Sequence, residues 1–248
     1  MTPQGFFVTA TDTGVGKTVF TALAVAALRS KGVDCLPVKP VQTGCEPEEI
    51  APDLDFSLRA NNLHPPAELL KMLCPVSYRA PASPHLASEL EGMFIDPQEI
   101  FNALDKLAEG GDYLAVEGAG GLMVPINRSY LMLDLIEELE LPVFIVSRLN
   151  LGTINHTLLT IEALKKRQID IAGVVFNQPR PLEKGYVEKD NPRVIKKFGE
   201  VEIIGEIPYI PDLEELVEKT DNIWLALKKK KLLDFNLPAK LQEVIGNE

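Results

Sequence analysis

Residues 11–18 read Thr-Asp-Thr-Gly-Val-Gly-Lys-Thr and follow directly on the apolar run Gly5-Phe6-Phe7-Val8-Thr9-Ala10. A strand that empties into a glycine turn ending in Gly-Lys-Thr, with an apolar-periodic stretch behind it, leaves few folds open. Glycines let successive backbone N–H groups converge at a helix N-terminus, where the helix dipole favours negative charge. The spacing predicts a phosphate cradle from Thr13, Gly14, Val15 and Gly16. Lys17 would reach the outer phosphates, and the Thr18 hydroxyl would ligate Mg²⁺. Thr11 stands where the usual pattern has its first glycine. A surface lysine opening a helix would read similarly; the strand before and the helix after separate the two.

The remaining chain alternates in the same way. A helix is expected over 17–31, with Phe20, Leu23, Ala24, Ala27 and Leu28 at helical spacing and Gly32 to stop it. Short strands are expected at 35–39, 113–116, 143–146, 171–176 and 201–204, and helices at 131–139 and 153–167. Residues 46–110 read as a mostly helical insertion broken by prolines. Alternating apolar strands and helices predict an α/β fold of P-loop type, with a mostly parallel sheet covered by helices on both faces. A single domain over 1–248 is expected, with a tail of obscure pattern from about 216.

Composition narrows the partners. A net charge of −11 disfavours nucleic acid, so an anionic ligand would need local cations such as Lys17 and Lys39. No apolar run approaches the ~18 residues of a membrane span. The absence of a secretory signal pattern, with three scattered cysteines, points to a reducing cytoplasm. The four-lysine run Lys228–Lys231 reads as a solvated helix face.

Ligands of parallel sheets gather at the carboxyl ends of strands. Lys39 ends the second strand, with Thr43 expected in the turn beside it. Glu117 ends another and is followed by Gly118, Ala119 and Gly120, whose small side chains let backbone approach a ligand. With Asp55 second to it, Glu117 is the candidate acid for Mg²⁺; Asp53 reads as a helix N-cap. Asn177 could meet adenine or simply favour the turn before Pro179. The free N–H groups near Gly152, Thr153 and Asn155 could receive a carboxylate.

Several blocks in fixed order carry a resemblance: 8–18, Lys39-Pro-Val-Gln-Thr-Gly44, Ser83-Pro-His85, Glu117-Gly-Ala-Gly-Gly121, Leu151-Gly-Thr-Ile-Asn-His156 and Gly205-Glu-Ile-Pro208. Over about 5–215 the chain resembles the dethiobiotin synthetases, ATP-dependent ligases of biotin biosynthesis. The partition and cell-division ATPases, which act as ATP-driven dimerisation switches, share the architecture but carry a second lysine where this chain has Asp12.

The resemblance implies substrates 7,8-diaminononanoate, CO₂ and ATP, with Mg²⁺ and no biotin prosthetic group. A carbamate on one amine would attack the γ-phosphate, and the second amine would close the urea ring. It implies Lys17, Lys39 and Thr43 in catalysis, with Thr11, Lys39 and Thr43 at the reacting end of the substrate. Asn177, Gln178, Pro208, Tyr209, Ile210 and Glu215 would surround the nucleotide. A homodimer is implied, the substrate tail reaching Gly152, Thr153 and Asn155 of the partner.

Overall fold

The computed structural model describes residues 3–233 and 235–246. Six strands form its main sheet: β1 (Gly5–Ala10), β2 (Cys35–Val38), β5 (Tyr113–Glu117), β8 (Val143–Ser147), β9 (Ile171–Asn177) and β10 (Ile203–Ile207). Two small pairs stand apart, β3 (Val41–Thr43) with β4 (Val76–Tyr78), and β6 (Pro125–Asn127) with β7 (Tyr130–Leu131). The main sheet is parallel, in the order β10-β9-β8-β1-β5-β2. The chain turns both ways from β1, so the carboxyl end of β1 is a switch point, where such sheets open a crevice for ligands.

Both faces are covered. Alternation along β1 sends Phe6, Val8 and Ala10 into one apolar cluster and Phe7 into the other. On the first face lies α1 (Lys17–Arg29), whose stretch from Phe20 to Leu28 is buried all round. A helix apolar on every side must be enclosed. Its enclosure comes from α2 (Pro52–Arg59) and, from the far end of the chain, α10 (Ile223–Lys229) and α11 (Leu237–Val244). The tail is therefore part of a core: Trp224, Leu227, Leu237 and Leu241 are buried, and Asn222 Nδ2 donates to the Ala26 carbonyl at 2.9 Å.

The excursion between β3 and β5 carries α2, α3 (Ala67–Leu73), α4 (Pro84–Leu90) and α5 (Pro97–Ala108). The other connections supply α6 (Met132–Leu139), α7 (Thr153–Lys166), α8 (Tyr186–Gly199) and α9 (Leu213–Glu218). Thr43 differs from expectation. It does not sit in a turn but ends β3, opposite Tyr78 of β4, because the insertion returns a strand to pair there. Among the described residues no helix is long and apolar enough to cross a membrane.

Candidate active site

The glycine loop joins β1 to α1 as its spacing requires. Gly14 and Gly16 take φ of 68° and 100°, the left-handed region that glycine enters without strain. Gly16 has a second reason to lack a side chain: a Cβ there would lie 2.0 Å from Asn177 Nδ2. That nitrogen donates to the Val15 carbonyl at 2.7 Å. Asn177 is thus a strut under the loop, held there through its Nδ2.

In front of the loop opens a cleft of about 630 Å³ whose lining includes Thr13, Gly14, Gly16, Lys17, Thr18, Lys39, Thr43, Ala119 and Gly120. Lys39 is 3% exposed. Its ammonium lies 2.6 Å from Asp53 Oδ2 and 2.9 Å from Glu117 Oε1, and it donates to the Gly118 carbonyl at 3.2 Å. All three protons are therefore matched. Burial opposes the charge, but the Glu117 and Asp53 carboxylates outweigh it, and the Lys39 pKa is pushed up to about 12. Lys39 is a fixed cation at neutral pH.

Lys17 differs in kind. Burial, with Lys39 adding to it, brings its pKa down to about 8, and among the described residues no carboxylate lies within ion-pair distance of its amine. A buried cation without a partner at the mouth of an amide-lined loop favours an anion. For Asp53, burial works upward, yet the ion pair and hydrogen bond with Lys39 prevail and hold its carboxyl below the ordinary range.

The Thr18 hydroxyl stands 3.0 Å from Asp53 Oδ1 and 2.9 Å from Glu117 Oε1. One hydroxyl and two carboxylates converge at the P-loop. This donor set is all hard oxygen and suits Mg²⁺, which prefers a few protein oxygens completed by phosphate and water. Among the described residues no group of three His, Cys, Asp or Glu side chains forms a metal cluster, so phosphate oxygens would be needed to finish the shell.

Here the structure corrects the acid. Asp55 does not join the cluster; its carboxylate receives Arg59 Nε at 2.8 Å, and Arg59 continues to Glu214 at 3.1 Å. Residues two apart on a helix point to different sides. Asp53 and Phe56, three apart, share the cleft face, while Asp55 and Arg59, four apart, pair outside it. Asp53 is not a cap either, for Ala51 holds that position and no side chain caps α2. The legible signal was Arg59: an arginine four residues on supplies Asp55 with a surface partner.

Other residues are distributed less simply. Gly118 contributes its carbonyl, and the Val15 side chain is in the core. Gln178 continues the strand pairing, its N–H donating to the Ile207 carbonyl at 2.9 Å, which brings Pro208 close to Asn177. Tyr209 is half-exposed and Ile210 buried; neither lines the cleft. Glu215 turns away to Lys219, and its neighbour Glu214 is the one in the cleft wall. Phe56, Gln42 and Leu213, which the sequence did not mark as site residues, also line the cleft.

Thr11 opens instead onto an adjoining hollow of about 500 Å³ with Met123, His156 and Leu159. Gly152 and Asn155 are exposed. Thr153 is buried, its hydroxyl 2.6 Å from the Arg148 carbonyl and 2.8 Å from Ser147 Oγ. These three residues do not line the phosphate cleft. Asp12 pairs with His156 Nδ1 at 3.0 Å.

A family model described as an AAA domain matches residues 4–216. The chain is 39% identical over 220 residues to the ATP-dependent dethiobiotin synthetase BioD of Thermodesulfovibrio yellowstonii, covering 85% of this chain and 91% of that protein. It is 40% identical over 199 residues to the protein of the same name from Methanococcus vannielii, covering 80% and 90%. For that of Rhodopseudomonas palustris the identity is 42% over 208 residues, covering 83% and 86%. Among solved structures, the MinC:MinD cell division protein complex of Aquifex aeolicus aligns with a TM-score of 0.62 at 18% identity, covering 99% of this chain and 96% of that one. A ParA family ATPase from Chlorobium tepidum aligns with a TM-score of 0.56 at 16% identity, covering 99% and 97%. At such identity the structural likeness shows the fold alone.

Proposed function

The chain belongs to the ATP-dependent dethiobiotin synthetase family, and from that premise we propose how its P-loop cleft serves the reaction. It is an ATP-dependent cyclo-ligase, and ATP is its substrate. In our reading the other substrates are 7,8-diaminononanoate and CO₂. The lone pair of one neutral amine attacks CO₂, giving a carbamate and releasing a proton. A carbamate oxygen attacks the γ-phosphorus, and the bond to ADP breaks. The second amine then attacks the carbamoyl carbon, closes the five-membered urea and expels phosphate.

The loop N–H groups and Lys17 hold the triphosphate. Thr18, Asp53 and Glu117 would hold Mg²⁺, which when bound neutralises phosphate charge. The observation that carries the reading is Lys39. Buried between Asp53 and Glu117 at the wall of the P-loop cleft, it offers a permanent positive charge where a carbamate and a transferring phosphoryl group would both be negative. With its pKa pushed up to about 12, it acts as a charge and not as a base. An anion entering the cleft competes with the two carboxylates for its protons. Thr43, on the same wall, hydrogen-bonds the reacting end of the diamine.

The protein works as a homodimer in this reading. Support comes from the exposed Leu151, Met123 and Leu159, the last two flanking the hollow beside Thr11, and from the α7 N-terminus, which faces outward to receive a partner's substrate carboxylate. The test is incubation of purified protein with diamine, bicarbonate and MgATP, following product mass and ADP. Ring-closed product with ADP release dependent on the diamine is the expected result. Steady ATP hydrolysis without diamine, and no new mass with it, would refute the assignment and favour a nucleotide switch.

A further inference from the structure

On the other flank of the P-loop lies a second depression, about 380 Å³, walled by Gly14, Arg148, Asn150, Gln178, Arg180 and Pro181. Among the described residues no carboxylate lines it, in a chain with 36 acidic residues and a net charge of −11. Of the eight arginines, Arg29, Arg59, Arg79, Arg128 and Arg167 are held in ion pairs. Arg148 and Arg180 are not among those pairs, and both wall this depression.

Two of its buried donors lack an acceptor among the described residues. Gln178 is 8% exposed, and its Nε2 is buried with no hydrogen-bond partner among the described residues. The Arg148 Nε is likewise buried and unpartnered; only its Nη2 is used, donating to the Thr13 carbonyl at 3.1 Å. Unmatched buried donors each carry a desolvation penalty that a bound acceptor removes. Pro179 and Pro181 stiffen the strap that carries Arg180, since each fixes its own φ and biases its predecessor to extended backbone.

We infer that this depression is an oxyanion subsite, separate from the triphosphate cradle, in which Arg148, Gln178 and Arg180 receive a small oxyanion against the outer face of the P-loop. Two such anions belong to the reaction proposed above: phosphate, its product, and bicarbonate, the hydrated form of CO₂. That attribution rests on the proposed reaction, whereas the subsite itself rests on the unmatched donors. Because Arg148 also grips Thr13, occupancy would be felt at the loop that holds ATP.

The experiment is calorimetric titration of inorganic phosphate, and separately of bicarbonate, into protein saturated with MgADP, so that the P-loop is already filled. Binding of one of the two is expected at millimolar concentration. Arg180→Gln, a change at an exposed side chain outside the nucleotide cleft, should weaken it about tenfold, the worth of one charge-assisted hydrogen bond, while ADP affinity stays within twofold. Preference for phosphate or for bicarbonate identifies the source. Failure of both anions to bind, or binding that Arg180→Gln leaves unchanged, overturns the inference. ADP affinity is read in the same experiment, so failure of the nucleotide cleft is distinguished from failure of the subsite.

Discussion

Replacing Lys39 by methionine keeps the length of the stem and deletes the charge. Asp53 and Glu117 are then left sharing the Thr18 hydroxyl with no cation between them. Glu117 is almost wholly buried and Asp53 only partly, so Glu117 bears most of the penalty. Breaking a buried pair from one side costs about 3–5 kcal/mol; the partial exposure of Asp53 puts the lower end nearer. For a chain of this size, about 3 kcal/mol lowers the melting temperature by roughly 6–12 °C. Mg²⁺ should recover part of that loss in the variant, because the orphaned carboxylates form a stronger cation site than in wild type. Turnover should fall about 10²–10³-fold, as for loss of one transition-state charge contact, with ADP affinity changed less than tenfold. Differential scanning calorimetry with and without Mg²⁺, steady-state turnover and ADP titration read all three. Turnover within tenfold of wild type would remove Lys39 from the chemistry. An unchanged melting temperature would refute the ion-pair reasoning.

Asp53→Asn should cost more than a hundredfold in activity and Asp55→Asn less than threefold, measured as ring-closed product under saturating MgATP; equal effects would contradict the division of the two acids. Lys17, held down at about 8 in the free protein, regains its ordinary affinity for a proton when a triphosphate lies against it. Nucleotide binding between pH 8 and the unperturbed 10.5 should therefore take up close to one proton, read by calorimetry in buffers of different ionisation enthalpy, and Lys17→Met should abolish the uptake. The same shift makes the ligand-free protein gain stability as pH rises through that window, since the unfolded chain keeps the proton longer. Gly16→Ala should fold yet lose nucleotide binding by more than a hundredfold, because its Cβ meets Asn177 Nδ2 and its φ is unfavourable; wild-type affinity would show the loop to be more plastic than its geometry.

The strand–loop–helix opening was legible because its signals are local: an apolar run, two glycines and the residues after them. Strands β5, β8 and β9 and helices α6 and α7 were visible for the same reason. Strands β3 and β4 were not, since each is three residues long and owes its form to a partner more than thirty positions away. The tail was obscure because its apolar residues answer to α1, about two hundred residues earlier; only the three-dimensional fold shows that α1 needs a cover. Lys39 and Glu117 could be picked from strand ends, but their direct ion pair could not. The choice between Asp53 and Asp55 turned on helical phase, which Arg59 discloses once α2 is known to begin at Pro52. Glu214 in place of Glu215 is the same one-residue question at a helix whose start no capping signal marked.

If a carbamate oxygen, steadied by Lys39, attacks the terminal phosphorus seated in the P-loop, that oxygen must travel with the phosphate when the ring closes. Running the reaction with freshly dissolved ¹⁸O-labelled bicarbonate and analysing the released phosphate by mass follows it. Transfer of one labelled oxygen into each phosphate formed is the predicted result, and phosphate that carries no label while ring-closed product accumulates would contradict that attack.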